Sequence, residues 1–245
     1  MKNFFAAAAA ALAIFAACGA EASLLRVGTD ADFQPYEYYQ AESGTYTGFD
    51  VELIEALARL MGCDGAEFVT APFDELLQGL DENRYDAAIA AFIVTAERRH
   101  EADFTAPYAE DRTVSVTMGG SAAKPGWHVN TAAEKGTVHM IFARQNYAGQ
   151  GEIIEAESVA EAVGMLFEGE AGRAVTSKLS AEYLIANVYG ERLVIASEDG
   201  AAQPLAIAVR KGNSELLDKL DEALARYKNS AAYEQLYRTY FGTCE

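Results

Sequence analysis

Positive charge is what this chain lacks most. Nineteen Lys and Arg stand against 37 Asp and Glu in 245 residues, a formal net charge of −18. Such a surface repels a phosphate backbone and offers an anionic bilayer no basic patch, which excludes most nucleic-acid and peripheral-membrane roles. Cysteine is scarce too: Cys18, Cys63 and Cys244 are the whole set. Neither Cys63 nor Cys244 has a His or Cys at ligand spacing, and His100, His128 and His139 are scattered, which argues against a metal centre. Five prolines and 20 glycines are too few for a fibrous or disordered chain. Catalytic signatures are missing as well. There is no Gly-x-Ser-x-Gly elbow and no Walker loop. Gly149-Gln-Gly151 lacks the third glycine of a dinucleotide fingerprint, and His100-Glu101 opens like a zincin motif without its second His. Nothing in the chain asks for a cofactor. What is present is ordinary globular composition, 51% hydrophobic and 23% charged.

The first 22 residues read as an address. Lys2 gives a positive start, and 4–17 is an uninterrupted apolar run dominated by alanine. That run falls short of the roughly 20 residues that span a bilayer and has the shape of a secretory signal. Two cleavage points compete. Ala20-Glu21-Ala22 follows the small-x-small rule and releases a chain beginning at Ser23. Phe15-Ala16-Ala17-Cys18-Gly19 has the form of a lipobox with Cys18 as the lipidated residue, although Phe15 replaces the usual Leu. The expectation is an exported protein, periplasmic or tied to the cell envelope through Cys18 alone. In that compartment Cys63 and Cys244 are expected to pair as a disulfide.

Beyond the signal, strands and helices alternate. Leu24 to Gly28 reads as a strand and Phe49 to Met61 as a helix, with Val51, Ile54, Leu57, Ala58 and Met61 on one face and Gly62 at its end. Strand Glu67 to Thr70, helix Phe73 to Asp81 and the buried strand Ala87 to Phe92 follow. Thr95 caps a short helix. Thr113 to Met118 leads into a stretch holding Gly119, Gly120, Pro125 and Gly126, which reads as a domain crossing. A second set then runs through strand Val138–Phe142, helix Ser158–Phe167, strand Arg173–Thr176, helix Ser180–Val188 and strand Leu193–Ala196. Asp199 to Pro204 is a second break, before a strand at Leu205–Val209 and two closing helices. The alternation predicts parallel sheets flanked by helices, with a ligand crevice at the strand carboxyl ends.

The strings Leu25-Arg-Val-Gly-Thr-Asp30, Phe33-x-Pro35-Tyr36-Glu37, Gly48-Phe49-Asp50-Val51, Tyr85-Asp86-Ala87, Thr95-Ala-Glu97-Arg98, Asp103-Phe104-Thr105-x-Pro107-Tyr108 and Ala206-Ile-Ala-Val-Arg-Lys211 occur in one order. Together they resemble the polar-amino-acid solute-binding proteins of ABC importers, bacterial extracellular solute-binding protein family 3, from about Leu24 to Gly242. The resemblance implies an α/β, two-lobed periplasmic-binding-protein fold, two α/β lobes joined by two crossing strands. Residues 23–113 and 205–245 form the expected first lobe, 114–204 the second. It further implies a monomer that captures a small solute, hands it to ABC permease subunits and does no chemistry. Two rivals share the fold: a cyclohexadienyl-dehydratase-like enzyme, and a receptor or scaffold without transport.

The resemblance also assigns positions. Phe33 and Phe73 match aromatic walls of the ligand site, and Arg98 the arginine that grips the ligand carboxylate in bidentate fashion. Ala90, Ala91 and Ile93 stand where the family carries hydroxyls, glycine or free amides. Ser177 stands where it carries an acid for the α-ammonium. Its anion loop falls around Phe142-Ala143-Arg144-Gln145, with Arg144 as a possible second positive contact. On this reading ordinary L-amino acids bind weakly, and the ligand is an acid with fewer ammonium demands, unless Asp30, Asp32 or Glu37 supplies the missing carboxylate.

Overall fold

The computed structural model describes residues 23–120 and 129–242. Cys18 and Cys244 lie outside them, so the lipidation and disulfide expectations do too. Strands β1 (Leu25–Thr29), β2 (Asp32–Phe33), β3 (Glu37–Gln40) and β4 (Thr45–Thr47) precede helix α1 (Phe49–Leu60). Then come β5 (Ala66–Thr70), a 3-10 turn at Phe73–Glu75 running into α2 (Leu76–Asp81), β6 (Ala87–Ala88), α3 (Arg98–Glu101) and β7 (Ala102–Phe104). The long strand β8 (Ala109–Met118) carries the chain to a second set: β9 (Thr131–Glu134), α4 (Val138–Tyr147), β10 (Ile153–Ala156), α5 (Val159–Glu168), β11 (Arg173–Ser177) and α6 (Lys178–Leu184). Strand β12 (Leu193–Leu205) returns it to β13 (Ala208–Arg210), α7 (Ser214–Lys228) and α8 (Ala231–Phe241).

Two five-stranded sheets result, β5-β1-β6-β13-β7 and β10-β9-β11-β8-β12, beside a small β2-β3-β4 sheet. Strands β8 and β12 pair antiparallel from Leu193↔Met118 to Leu205↔Ala109 and form the double crossing between the lobes. Both sheets are mixed, not purely parallel: β13 runs against β6 and β7, and β8 against β11 and β12. The antiparallel members are the strands that enter or leave a crossing.

Helix α1 shows how the first lobe is held. Phe49, Leu53, Ile54, Leu57 and Ala58 are fully buried. Each large side chain on that face contributes about 1.5–3 kcal/mol relative to exposure. Ring Phe49 is enclosed by Tyr233, Tyr237, Tyr240 and Phe241 of α8, with the Phe241 centroid 4.8 Å away. The C-terminal helix thus returns to the first lobe. Gly48 starts α1 at φ 128°, where a Cβ would lie 2.2 Å from the Tyr36 carbonyl oxygen, so no other residue fits.

The structure departs from the sequence expectation at several elements: β9 and β10 have no predicted counterpart, the break expected at Asp199–Pro204 lies within β12, and α6 ends at Leu184. Three further differences bear on the cleft. The strand predicted at Val138–Phe142 is the first half of helix α4. Thr137 caps it by accepting from the Met140 N–H at 3.1 Å, and the buried positions His139, Met140 and Ala143 follow a helical period, with Ile141 turned out. Strand β6 covers Ala87–Ala88 instead of running to Phe92, because Ala91 turns the chain out of the sheet at φ 43°. The strand predicted at Leu205–Val209 is split: Leu205 ends β12, and β13 begins at Ala208.

Candidate functional site: an interlobe cleft

The first lobe contributes the ends of its strands. Asp30 follows the carboxyl end of β1, the place where an α/β sheet presents a ligand. Ala31 then adopts φ 63°, a left-handed conformation uncommon outside glycine. That turn sets Asp32 and Phe33 against the cleft. After β6 the chain Ala90-Ala91-Phe92-Ile93 makes the opposite wall. Its strained turn is fixed by the Ala91 N–H, which donates to Asp50 Oδ2 at 2.8 Å. Ala31 and Ala91 thus both hold the left-handed backbone conformation that clusters at ligand sites.

Arg98 begins α3, where Thr95 Oγ1 accepts its N–H at 3.2 Å. Its guanidinium lies between two rings, with Cζ 5.0 Å from the Phe73 centroid and 5.4 Å from that of Phe92. It donates to Ile93 O at 2.7 Å and, across the cleft, to Gly136 O at 3.2 Å. The residue as a whole is half-buried, but loss of water around the guanidinium lowers its pKa to about 10. Five N–H groups in a fixed fork leave donors for a planar carboxylate.

The second lobe contributes the end of β9 and the start of α4. Glu134 is 3% exposed, and Thr137 Oγ1 donates to its carbonyl at 2.7 Å. Val138 and His139 line the cavity beside it. His139 is buried, its Nε2 lacks a hydrogen-bond partner, and burial lowers its pKa to about 3, so it is neutral.

Carboxylates crowd the cleft. One oxygen each from Asp30, Asp32 and Glu134 lies within 4.8 Å of the others. Neither oxygen of Asp30 has a well-formed hydrogen bond. Burial raises the Asp30 carboxyl to about 6. Asp32 is the exposed member of the three, and partial loss of water around its carboxyl, with the Asp30 charge added, raises it to about 7. Burial and then the charges of Asp30, Asp32 and Asp74 raise Glu134 to about 9, against the pull of Arg98. Behind Asp30, burial raises the Glu37 carboxyl well above its usual range, and it lies between Asp30 and Asp50, whose own carboxyl rises to about 6 on burial.

The central chamber is lined by Phe33, Phe73, Ala91, Ile93, Arg98 and Glu134, among others, and holds about 20 Å³. That is room for one water. A pocket of about 250 Å³ shares its walls at Phe73, Arg98 and Val138, and one of about 220 Å³ reaches Asp32 from the other side. The lobes are therefore closed on each other, held by Ser180 Oγ donating to Gln34 O at 2.6 Å, by Arg98 on Gly136, and by the Lys135–Asp74 ion pair at 3.7 Å. Among the described residues no helix is long and apolar enough to cross a membrane.

Two lobes, a double crossing and a sheltered arginine in the cleft have a counterpart among known proteins. The profile of bacterial extracellular solute-binding proteins, family 3, matches residues 25–243. The chain belongs to that family. An L-cystine-binding protein of Bacillus subtilis is 26% identical over 89% of this chain and 81% of the relative. A putative ABC transporter arginine-binding protein of Escherichia coli is 28% identical over 95% of this chain and 97% of its own. Among solved structures, an ancestral arginine-binding protein bound to arginine superposes with a TM-score of 0.83 at 29% identity, covering 90% of this chain and 99% of the other. An ancestral amino-acid-binding protein described as a precursor of cyclohexadienyl dehydratase gives 0.81 at 30%, over 89% and 96%. The protein is a solute-binding protein of the ABC-importer type.

As a member of this family it brings Asp30, Phe33, Phe73, Ala91, Ile93 and Arg98 together around the cleft. Two other candidates sit elsewhere. Arg144 is exposed on α4 and pairs with Glu155. Ser177 is buried as the cap of α6, accepting from the Ser180 N–H at 3.1 Å, beside Asp111 and Tyr36. The loop that follows the second-lobe strand is Lys135-Gly136-Thr137, not Phe142 to Gln145, because β9 ends at Glu134. Glu134, Thr137 and His139 were not picked out from the sequence. The signal for Thr137 was there: Gly-Thr ahead of an apolar run is a helix start.

Proposed function

We propose that the solute is an α-amino acid. Arg98 holds its carboxylate, the buried carboxylate of Asp30 takes its ammonium, and Phe33 and Phe73 enclose its body. The supporting observation is the pairing of these two groups about Glu134: a guanidinium shielded between rings lines a chamber with Glu134, and the buried carboxyl of Asp30 converges on Glu134 within 4.8 Å. Each is unfavourable until an opposite charge arrives. The arginine- and cystine-binding names of the relatives point the same way. The sequence argument against ordinary L-amino acids rests on Ser177 as the ammonium position and on the missing side-chain hydrogen bonds at Ala90, Ala91 and Ile93. Ala90, Ala91 and Ile93 do line the chamber, but Asp30 and Glu134 offer the ammonium a carboxyl.

Binding closes the lobes, and the closed form docks on the permease. The protein acts outside the cytoplasmic membrane as a monomer, anchored through Cys18, with Cys63 and Cys244 bridged. Thiol labelling of the denatured, unreduced chain tests the bridge: no reactive thiol from these two residues is expected, and two would contradict it.

One observation favours a second reading. Glu134 is an acid kept protonated opposite Arg98, which suits general-acid chemistry, and one structural neighbour is described as a dehydratase precursor. Incubating the purified protein with prephenate or arogenate separates the two. No dehydrated product is expected, and turnover would make the protein an enzyme. Native mass spectrometry of the chain from the envelope fraction tests the main reading. One amino acid per chain is expected, and a bound solute without an amine would overturn the assignment.

A further inference from the structure

The cleft sets carboxyl groups face to face. Asp30 and Asp32 belong to the first lobe and Glu134 to the second, yet their oxygens converge within 4.8 Å. The other charged or titratable groups around Glu134 are few. Asp74 faces it from the turn before α2, Arg98 from α3, and neutral His139 from α4. The ammonium of Lys135, its chain neighbour, is engaged by Glu157 at 2.7 Å and by Asp74 at 3.7 Å. Glu37 stands behind Asp30. One guanidinium therefore answers Glu134, with none among the described residues acting on Asp30 or Asp32, and a bound carboxylate would claim that guanidinium. The α-ammonium of a solute neutralises only one of the three.

We propose that Glu134 is a charge gate on lobe closure: the lobes close only when a second positive charge on the solute, or protons, occupies the space among Asp30, Asp32 and Glu134. The gate rests on the amino-acid reading of this cleft and narrows the solute to amino acids with a cationic side chain. The buried Nε2 of His139, which lacks a partner, is an independent polar group lining the same chamber as Glu134. The sign of the pH effect follows. A closed, unliganded cleft holds protons that an open, hydrated cleft loses, so acid favours closure and alkali opens it. A cationic solute replaces those protons and releases them. Its affinity rises from pH 5 to pH 8, while that of a neutral amino acid falls.

The test compares the wild type with Glu134→Gln, which keeps shape and removes charge. Calorimetry with arginine, lysine and glutamine, in buffers of different ionisation enthalpy, should give the wild type a preference for the cations of about tenfold to a hundredfold, with proton release. In Glu134→Gln the preference and the proton release should both shrink, and glutamine should bind more tightly. Unchanged selectivity and proton release in the variant would overturn the gate. Asp32→Asn should move both in the same direction if Glu134→Gln folds poorly. A ligand-free arm separates this proposal from the amino-acid reading. Small-angle scattering should show the wild type compact at pH 5 and extended at pH 8, with the difference lost in Glu134→Gln. That result stands even if no amino acid binds, and a pH-independent wild type would overturn the gate even if one does. Closure at pH 8 by millimolar calcium or magnesium alone would make the cluster a metal site and also overturn the proposal.

Discussion

Arg98→Ala is expected to lower affinity for the solute by about 25-fold to several thousand-fold. The guanidinium sits between Phe73 and Phe92 and has lost much of its water. Removing it leaves a solute carboxylate buried without its partner, which costs roughly 2–5 kcal/mol at 1.4 kcal/mol per decade. Part of the loss comes from closure itself, since the same side chain donates to Gly136 O on the other lobe. Arg98→Lys should recover little of the affinity, because an ammonium lacks the planar fork and does not stack between two rings. Calorimetry reads the effect. Unchanged affinity in Arg98→Ala would remove this residue from the site.

Gly136→Ala is expected to weaken binding through the closing motion instead of the ligand contacts. Gly136 has φ 72°, and an added Cβ would sit 2.7 Å from Asp74 Cβ and 3.2 Å from Asp74 Cα, on the opposite lobe. A backbone neighbour cannot swing away as a flexible side-chain end can. Overpacking of this kind costs about 1–3 kcal/mol, and here the cost falls only on the closed form, so affinity should drop by roughly 5-fold to 150-fold. Gly149→Ala is the control. It has φ 87° with open space around its Cβ position, so it imposes similar backbone strain without touching the cleft. It should lose about 1 kcal/mol of stability and keep its affinity. Equal binding losses in the two variants would show that backbone strain, not blocked closure, is responsible.

The fold was legible in the sequence because its signals are local. The apolar face of α1, the glycine after it, and the turn-rich stretches that flank the crossings all lie within short windows of the chain. Their combination with family strings implied two lobes. The error at Val138–Phe142 shows the limit of such windows: an apolar run of that length is compatible with strand or helix, and Thr137 as a cap decides it. That one shift displaced the second-lobe loop by a helical turn and more. It put Arg144 forward as a ligand contact, whereas the loop after the strand is Lys135-Gly136-Thr137. The site was half legible. Phe33 and Arg98 lie in recognisable strings and Phe73 matches an aromatic position of the family, so they could be named as candidates. Glu134 could not, because nothing near it in the chain distinguishes it from the many acids of an acidic protein. Only folding places it opposite Asp30 and Asp32. Ser177 illustrates the converse: a buried hydroxyl at a family position, spent on capping a helix.

The central claim, that this cleft captures an α-amino acid, is tested most directly by a calorimetric screen of the twenty L-amino acids against the mature chain at pH 8, with keto and aromatic acids alongside. The account expects saturable binding of at least one amino acid at one per chain, tightest for a cationic side chain. Binding of the keto or aromatic acids with no response to any amino acid would contradict it.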